Sequence, residues 1–280
     1  MPDAIPPLYL ATAIEAVIRA GEVQLARFGT DVRIDKKGAI DLVTEIDLAI
    51  EREFRAMIAE RFPDHVVLGE EFSSTGDREA RPPFCWVFDP VDGTTNYAHG
   101  LPIFCSSLAL EIDGEIAVGA IYDPTRRELF TAERGQGARL NGQPLRVSLP
   151  SGGQDTLLDS LLVTGFHYGI HRDPEDLVSL FREFITKSRA VRRLGSAALD
   201  LCYVAAGRFD GYWESKIQPW DVAAGALIVS EAGGRVTTVD GRTFHSRAGS
   251  VLATNGAIHG LMLDTILGFG ERQRAPNRTQ

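Results

Sequence analysis

One short stretch, from Asp89 to Thr95, constrains this chain more than any other. It follows the apolar run Phe84–Phe88, which predicts a buried strand. Pro90 fixes its own φ and favours extended backbone at the residue before it, whereas Gly93 permits a sharp turn. The two threonines that close the stretch are residue types that favour a helix N-cap. The stretch therefore predicts a strand that ends in two acids and leads directly into a helix.

The chemistry of this stretch has two interpretations. Carboxylate oxygens are ligands that Mg²⁺ prefers, and the free N–H groups at a helix start suit phosphate. Together they indicate metal-assisted phosphate chemistry. Asp-Pro and Asp-Gly pairs are also common in ordinary turns, so the stretch alone leaves a plain strand-turn-helix equally open.

The net charge limits the classes of partner. A formal charge of -9 argues against an electrostatic grip on nucleic acid or on an anionic membrane. An acidic site would also repel phosphate unless bound divalent cations inverted the local charge. We therefore expect no nucleic-acid partner, and divalent metal ions if the site binds phosphate.

The cysteines and the apolar runs indicate a compartment. Cys85, Cys105 and Cys202 are odd in number and widely spaced, which is typical of buried free thiols in a reducing environment. The first residues lack the basic and apolar segments of a signal peptide, and no apolar run is long enough to cross a bilayer. We expect a cytoplasmic protein without a membrane partner.

The order of patterns indicates two halves within 280 residues. Apolar residues recur at helical spacing from Leu8 to Phe28, and two apolar runs around Asp113-Gly114 predict a hairpin. After a polar loop at 150–155, strands and helices alternate. We predict an antiparallel-rich half at 1–150, an α/β half at 151–270, and a frayed polar tail at 271–280, arranged as layers of helices and sheets.

Five acids stand at the predicted ends of strands or the starts of helices, and a Mg²⁺ pair needs several such carboxylates. Two of them have a structural alternative. Thr44 three residues before Asp47 resembles a capping box, and Asp221 lies in the first turn of a helix, where the macrodipole favours an acid. The five are Asp47, Glu70, Asp89, Asp92 and Asp221.

The motifs around these acids resemble those of the inositol monophosphatase family. Trp86–Tyr97 is similar to its first signature, and Trp220–Gly234 is similar to its second. Asp41–Asp47 and Gly69–Glu71 resemble the segments that precede the first signature. The likeness runs from the first helix to about Leu267, and two signatures in the right order are highly specific.

The resemblance implies an α/β (α+β) fold, a layered α-β-α-β-α sandwich of the sugar-phosphatase type. It also implies a Mg²⁺-dependent, Li⁺-sensitive phosphomonoesterase that acts on inositol monophosphate or similar polyol phosphates and forms a homodimer. Two to three Mg²⁺ ions per site are implied. The first would lie on Glu70, Asp89 and the Val91 carbonyl, the second on Asp89, Asp92 and Asp221, and a weaker third on Glu70 through water.

The resemblance also assigns roles around the phosphate. Thr95 paired with Asp47 would orient and deprotonate the attacking water, with Glu70 beside them. The phosphate would bind the N–H groups of Gly93, Thr94 and Thr95. The alcohol portion would face residues of both halves: Asp92, Gly195, Ser196, Ala197, Glu214 and Asp221.

The identity of the alcohol stays open at this point. Relatives with the same core cleave histidinol phosphate, 3′-phosphoadenosine phosphate or fructose 1,6-bisphosphate, and some bacterial relatives associate with the transcription machinery. Phe166–Asp173 and Gly195–Ala198 are the segments in which we expect discrimination. His167 and His171 fit either the pocket or a surface loop. A nucleophilic Asp89 is the rival to attack by water.

Overall fold

The computed structural model describes residues 5–30, 33–36, 42–74, 76–77, 81–149, 156–172 and 174–274. Its helices are α1 (Pro7–Arg27), α2 (Glu45–Arg61), α3 (Thr94–Ala98), α4 (Glu175–Lys187), α5 (Ala197–Ala205), α6 (Pro219–Glu231) and α7 (His259–Arg274). Short 3₁₀ turns lie at Leu157–Asp159 and Ser246–Ala248. The predicted boundary at 150–155 lies outside the described residues.

The described strands form three sheets. A two-stranded sheet pairs β1 (Ile34–Lys36) with β2 (Leu42–Thr44). A seven-stranded sheet has the sequential order β3 (Val66–Gly69), β4 (Phe84–Asp92), β5 (Cys105–Ile112), β6 (Glu115–Asp123), β7 (Glu128–Glu133), β8 (Ala138–Leu140) and β9 (Gln143–Pro144). A five-stranded sheet has the order β11 (Ala190–Arg192), β10 (Leu161–Thr164), β12 (Gly211–Ser215), β14 (Ser250–Thr254) and β13 (Arg235–Thr237).

Strand direction differs between the two large sheets. In the seven-stranded sheet only β3 and β4 run parallel, and the other neighbours are antiparallel, including the hairpin predicted at Asp113-Gly114. In the five-stranded sheet β10 is parallel to β11 and β12, whereas β14 is antiparallel to both of its neighbours. The seven-stranded sheet is therefore mostly antiparallel.

Three hydrophobic clusters stack these elements into five layers. In the first, α1 and α2 pack on the seven-stranded sheet through residues such as Val17, Phe54 and Phe88. In the second, α5 and α6 fill the space between the two large sheets. In the third, α4 and α7 cover the far face of the five-stranded sheet, where Phe184 and Met262 are fully buried. The α-β-α-β-α sandwich implied by the resemblance is confirmed.

Helix α6 lies at the centre because its sequence is apolar on every side. All residues from Val222 to Val229 are buried, and a helix without a polar face must be covered all round. Gly225 allows close contact with α5, since a Cβ there would lie 2.6 Å from the Leu201 side chain. This close packing holds the middle of α6 against the middle of α5.

Two details of the sequence interpretation are wrong. The N-cap of α3 is Gly93, with φ of 98°, rather than a threonine. A Cβ at that position would lie 2.9 Å from the Ile103 carbonyl oxygen, so both the turn and the packing require glycine.

The tail predicted from residue 271 begins as helix. Helix α7 continues to Arg274, and Arg272 forms a 3.1 Å ion pair with Glu183 of α4.

Candidate active site

A cleft of about 460 Å³ lies where β3 and β4 end and where α3, α5 and α6 begin. Both halves of the chain contribute to its walls. Every predicted site residue except Asp47 lines it: Glu70, Asp89, Val91, Asp92, Gly93, Thr94, Thr95, Gly195, Ser196, Ala197, Glu214 and Asp221. The site residues therefore converge although they span most of the sequence.

The centre of the cleft is a cluster of carboxylates. Asp89, Asp92 and Asp221 each offer one oxygen, and these atoms lie within 4.8 Å of one another. Glu70 follows β3, whose last residue Gly69 pairs with Phe88, directly before Asp89. An all-oxygen set at this spacing is the donor chemistry of a hard divalent cation.

A β-bulge brings Asp89 and Asp92 to the same face of the sheet. Residues three apart on a regular strand point to opposite faces. Here Asp89 pairs with Ser107 and Asp92 pairs with Cys105, so β4 carries one residue more than β5 between these pairs. The bulge also accommodates Pro90, whose carbonyl accepts hydrogen bonds from Ser106 Oγ (2.9 Å) and Gln24 Nε2 (2.7 Å).

Burial and mutual repulsion act against negative charge in this cluster. Burial raises the pKa of Asp89 well above its usual range, and the nearby Glu70 charge raises it further. Burial raises the pKa of Asp92 to about 6, although hydrogen bonds from Ser196 and Ala198 oppose the shift. Burial, followed by the Asp92 charge, also raises the pKa of Asp221. A bound cation would relieve this repulsion, so the electrostatics fit a metal site.

Asp221 lies both in the first turn of a helix and in the carboxylate cluster. It is the third residue of α6, and its Oδ2 accepts the Gln218 backbone N–H at 2.9 Å as part of a capping box. The same side chain belongs to the carboxylate cluster. Its place in the first turn of the helix thus orients it towards the cleft.

Asp47 is buried behind the cleft at the start of α2. One oxygen, Oδ2, accepts the Thr44 backbone N–H at 2.9 Å and the Thr44 hydroxyl, which completes the expected capping box. The other, Oδ1, accepts the Thr94 hydroxyl at 3.3 Å. The capping interaction therefore leaves one oxygen directed towards the residues of the cleft.

The threonine that contacts Asp47 is not Thr95, with which the sequence interpretation paired it. The hydroxyl that contacts Asp47 is that of Thr94, which also lies 2.9 Å from the Val91 carbonyl oxygen. Consecutive helix residues point about 100° apart, so the two threonines present their hydroxyls in different directions. Which threonine acts on water stays a prediction.

The alcohol side of the cleft is built from α5, β12 and the loop after β10. Glu214 accepts the Tyr212 hydroxyl at 2.6 Å, and burial raises its pKa to about 7. Gly165 makes room for this carboxylate, since a Cβ there would lie 1.8 Å from Glu214 Oε2. Ser196 is the N-cap of α5 and donates to Asp92 Oδ2.

Comparison with known proteins identifies the scaffold. The model of the "Inositol monophosphatase family" matches residues 8–267. The chain belongs to the inositol monophosphatase family. It is therefore a phosphoric monoester hydrolase of this family, as the sequence motifs indicated.

Individual members resemble it over nearly their full length. Inositol-1-monophosphatase of Synechocystis sp. is 45% identical over 90% of this chain and 86% of its own. Nus factor SuhB of Pseudomonas aeruginosa is 38% identical over 92% and 95% of the two chains. The solved inositol monophosphatase of Anabaena (Nostoc) sp. has a TM-score of 0.81, with 41% identity over 93% and 96% of the chains.

Sequence reasoning missed several residues of this inositol monophosphatase family cleft. Asp200, Arg193 and Lys216 line it, and the Oδ1 atom of the buried Asp200 has no hydrogen-bond partner among the described residues. Asp200 was hidden because it lies inside an apolar helical run. Of the two histidines considered, His167 lines the cleft, whereas the His171 ring contacts the Tyr168 carbonyl.

The remaining sequence expectations concern the thiols and the membrane. Cys85, Cys105 and Cys202 are free and buried. Across the described ranges, no helix combines the length and apolar character that a bilayer crossing requires.

Proposed function

We propose that the protein hydrolyses the monophosphate ester of a hydroxyl-rich alcohol, such as inositol monophosphate, by direct attack of water with Mg²⁺ in the carboxylate cluster. The observation that carries this proposal is the convergence of Asp89, Asp92 and Asp221 within 4.8 Å of one another. The P–O bond to the alcohol breaks as the water oxygen bonds to phosphorus, and the products are the alcohol and inorganic phosphate.

The oxygen-only donor set fits Mg²⁺, on which this family depends in general. Glu70, Asp89 and the Val91 carbonyl would hold one ion, and Asp89, Asp92 and Asp221 would hold another, with Glu70 contributing to a weaker third through water. Bound Mg²⁺ would neutralise phosphate oxygens, lower the pKa of the attacking water and stabilise the leaving alkoxide. By analogy with the family, Li⁺ would inhibit the reaction.

Groups of this chain would move the proton and hold the phosphate. A hydroxyl that donates to Asp47 keeps its lone pairs free to accept a proton from water. The Thr94 hydroxyl has one proton and lies 2.9 Å from the Val91 carbonyl oxygen and 3.3 Å from Asp47 Oδ1, so it would donate to Asp47 when a bound cation occupies that carbonyl; Thr95 remains the alternative. The N–H groups of Gly93, Thr94 and Thr95 have no acceptor within α3, because they lie at its start. These three residues line the cleft, so their N–H groups would bind phosphate oxygens. A nucleophilic Asp89 is disfavoured by its proposed occupation as a metal ligand.

The alcohol side supports a polyol. Gly195, Ser196, Ala197, Glu214 and Asp221 line it, as does Asp200. Carboxyl groups accept hydrogen bonds from hydroxyls, which favours a hydroxyl-rich ester such as inositol monophosphate. Arg193 and Lys216 also line the cleft and would attract a second phosphate, so we rank 3′-phosphoadenosine phosphate and fructose 1,6-bisphosphate next. Phosphate release from a panel of these esters and histidinol phosphate tests the ranking.

The central test removes one carboxylate of the cluster. Asp92→Asn should reduce turnover by at least 10²-fold and weaken Mg²⁺ binding while circular dichroism stays unchanged. Asp64→Asn makes the same chemical change at an exposed position outside the cleft and should retain full activity. Near-normal turnover by the Asp92→Asn protein would refute the proposed site.

A second candidate role rests on the SuhB-named relatives, one of which is a Nus factor 38% identical to this chain. We propose that an association with the transcription machinery coexists with catalysis. Pull-down of RNA polymerase in high salt by the wild type and by Asp92→Asn alike would support it. Absence of polymerase from both would count against it.

Assembly and location complete the proposal. By analogy with the family we propose a cytoplasmic homodimer. Light scattering of the purified protein should give twice the mass of one chain, and a monomer at working concentration would contradict this. Cell fractionation tests the location.

A further inference from the structure

Glu51 is a buried acid that lies beneath the turn carrying Glu70. It belongs to α2, one turn after Asp47, and its side chain is 0% exposed. It does not line the cleft, so it has no place in the proposed chemistry. A fully buried carboxylate is costly unless its hydrogen bonds are satisfied, and the groups that satisfy it indicate its role.

The partners of Glu51 are backbone groups immediately after Glu70. Its Oε2 accepts the Glu71 N–H at 2.7 Å, and its Oε1 accepts the Phe72 N–H at 3.3 Å. The Glu70 N–H itself donates to the Phe88 carbonyl at 3.2 Å. The turn is thus held from the sheet on one side and from α2 on the other.

Arg55 extends this network to both ends of the turn. Its guanidinium donates to Glu51 Oε1 from Nε at 2.8 Å, to the Val67 carbonyl from Nη1 at 3.1 Å and to Ser73 Oγ from Nη2 at 3.1 Å. Ser73 Oγ in turn accepts the Gly69 N–H at 2.9 Å. The segment from 67 to 73 is therefore tied at four points to one Glu–Arg pair.

Gly69 shows how closely the acid approaches the turn. A Cβ at this position would lie 2.1 Å from Glu51 Oε1, although its backbone conformation is one that any residue adopts. Glycine is required here by the proximity of the carboxylate rather than by a turn. This independent observation places the Glu51 carboxylate directly against the backbone of the turn.

We propose that Glu51, held by Arg55, is a positioning residue that fixes the backbone at Glu70 and so sets the affinity of the site for Mg²⁺. The inference rests on the proposed role of Glu70 as a metal ligand. Groups that orient metal ligands without touching the metal typically change metal affinity about 10–100-fold when they are replaced. Glu51 acts through the backbone, so the affinity for metal should change more than the turnover of the saturated enzyme.

The test compares Glu51→Gln with the wild type. The amide keeps the size of the side chain but presents an N–H₂ group to donors that now contact carboxylate oxygen. Titration calorimetry of the purified protein with Mg²⁺ should show at least about ten-fold weaker binding. The Mg²⁺ concentration for half-maximal phosphate release should rise similarly, whereas KM for the ester at saturating Mg²⁺ should stay within about two-fold.

A matched control and a milder variant keep the inference testable. Glu15→Gln removes the carboxylate of a surface Glu–Arg pair, 2.6 Å from Arg61, and should leave Mg²⁺ affinity unchanged. If Glu51→Gln does not fold, Ser73→Ala should weaken Mg²⁺ binding in the same direction by a smaller factor. Unchanged Mg²⁺ affinity in a folded Glu51→Gln protein would overturn the inference. If the Glu51→Gln protein does not fold, unchanged Mg²⁺ affinity in the Ser73→Ala protein would overturn it instead.

A separate variant distinguishes this inference from the proposed function. Glu70→Gln should weaken Mg²⁺ binding if Glu70 is a ligand. If Glu70→Gln has this effect and Glu51→Gln does not, only the positioning role is wrong. If neither the wild type nor any variant binds Mg²⁺, the proposed function itself fails.

Discussion

Ser196 donates a 2.6 Å hydrogen bond to Asp92 Oδ2 across 104 positions of sequence. The backbone N–H of Ala198 donates to the same oxygen at 2.7 Å. The start of α5 in one half of the chain therefore holds a carboxylate at the end of β4 in the other. This contact joins the alcohol side of the cleft to its carboxylate cluster.

Removing the Ser196 hydroxyl should therefore affect stability and activity together. Ser196→Ala leaves a buried carboxylate with one donor fewer, and hydrogen bonds to charged groups contribute about 1.5–3 kcal/mol. We expect a loss of that order in the free energy of unfolding by urea and about a ten-fold loss in kcat. Ser230→Ala, which removes a hydroxyl bonded within α6, is the control. Equal effects of the two substitutions would contradict the role of the bridge.

The contact of Asp47 with Thr94 predicts which threonine assists the attacking water. Thr94→Ala should lower kcat by about 10²-fold or more, a typical effect of losing proton transfer, with little change in KM. Thr94→Ser keeps the hydroxyl and should recover most of the activity. Thr95→Ala should have the smaller effect on kcat. A larger loss in Thr95→Ala than in Thr94→Ala would restore the assignment made from sequence.

Burial of Glu214 predicts a dependence of stability on pH. Its pKa is raised to about 7 in the folded protein from 4.5, so the folded state binds more protons than the unfolded state between these values. The contribution of this residue is complete below pH 4.5 and is lost as the pH rises through about 7. Urea denaturation between pH 5 and 8 with a metal chelator should show a shallower fall in stability for Glu214→Gln. An identical slope in both proteins would be inconsistent with the raised pKa.

The buried Asp200 carboxyl predicts discrimination on the alcohol side. Its buried Oδ1 has no partner among the described residues, and the residue lines the cleft, so we expect it to accept a substrate hydroxyl when the ester binds. Asp200→Asn should lower kcat/KM for inositol monophosphate by about ten-fold, within the range for a lost hydrogen bond. It should leave p-nitrophenyl phosphate, which has no hydroxyls, within about two-fold. Equal losses for both esters would indicate a structural role.

The predicted site residues other than Asp47 line one cleft, and the hydroxyl that contacts Asp47 is that of Thr94 rather than that of Thr95. The acids were found because each stands at the end of a strand or the start of a helix, where local pattern marks the boundary. The sequence interpretation chose Thr95 instead of Thr94 because both hydroxyls lie in the same short helix. Only the position of Asp47 in space distinguishes their directions. Asp200 was missed because an acid inside an apolar helix gives no boundary signal.

Local patterns in the sequence predicted most of the elements, since helical spacing, glycine and proline boundaries and Asp-Gly turns act within a few residues. Its motifs also indicated the family. The tertiary structure decided how the acids meet. The bulge that turns Asp89 and Asp92 to one face depends on pairing with β5. The bridge from Ser196 and the support of Glu70 by Glu51 depend on packing between distant segments. Such contacts follow from the stacking of layers, which no local pattern specifies.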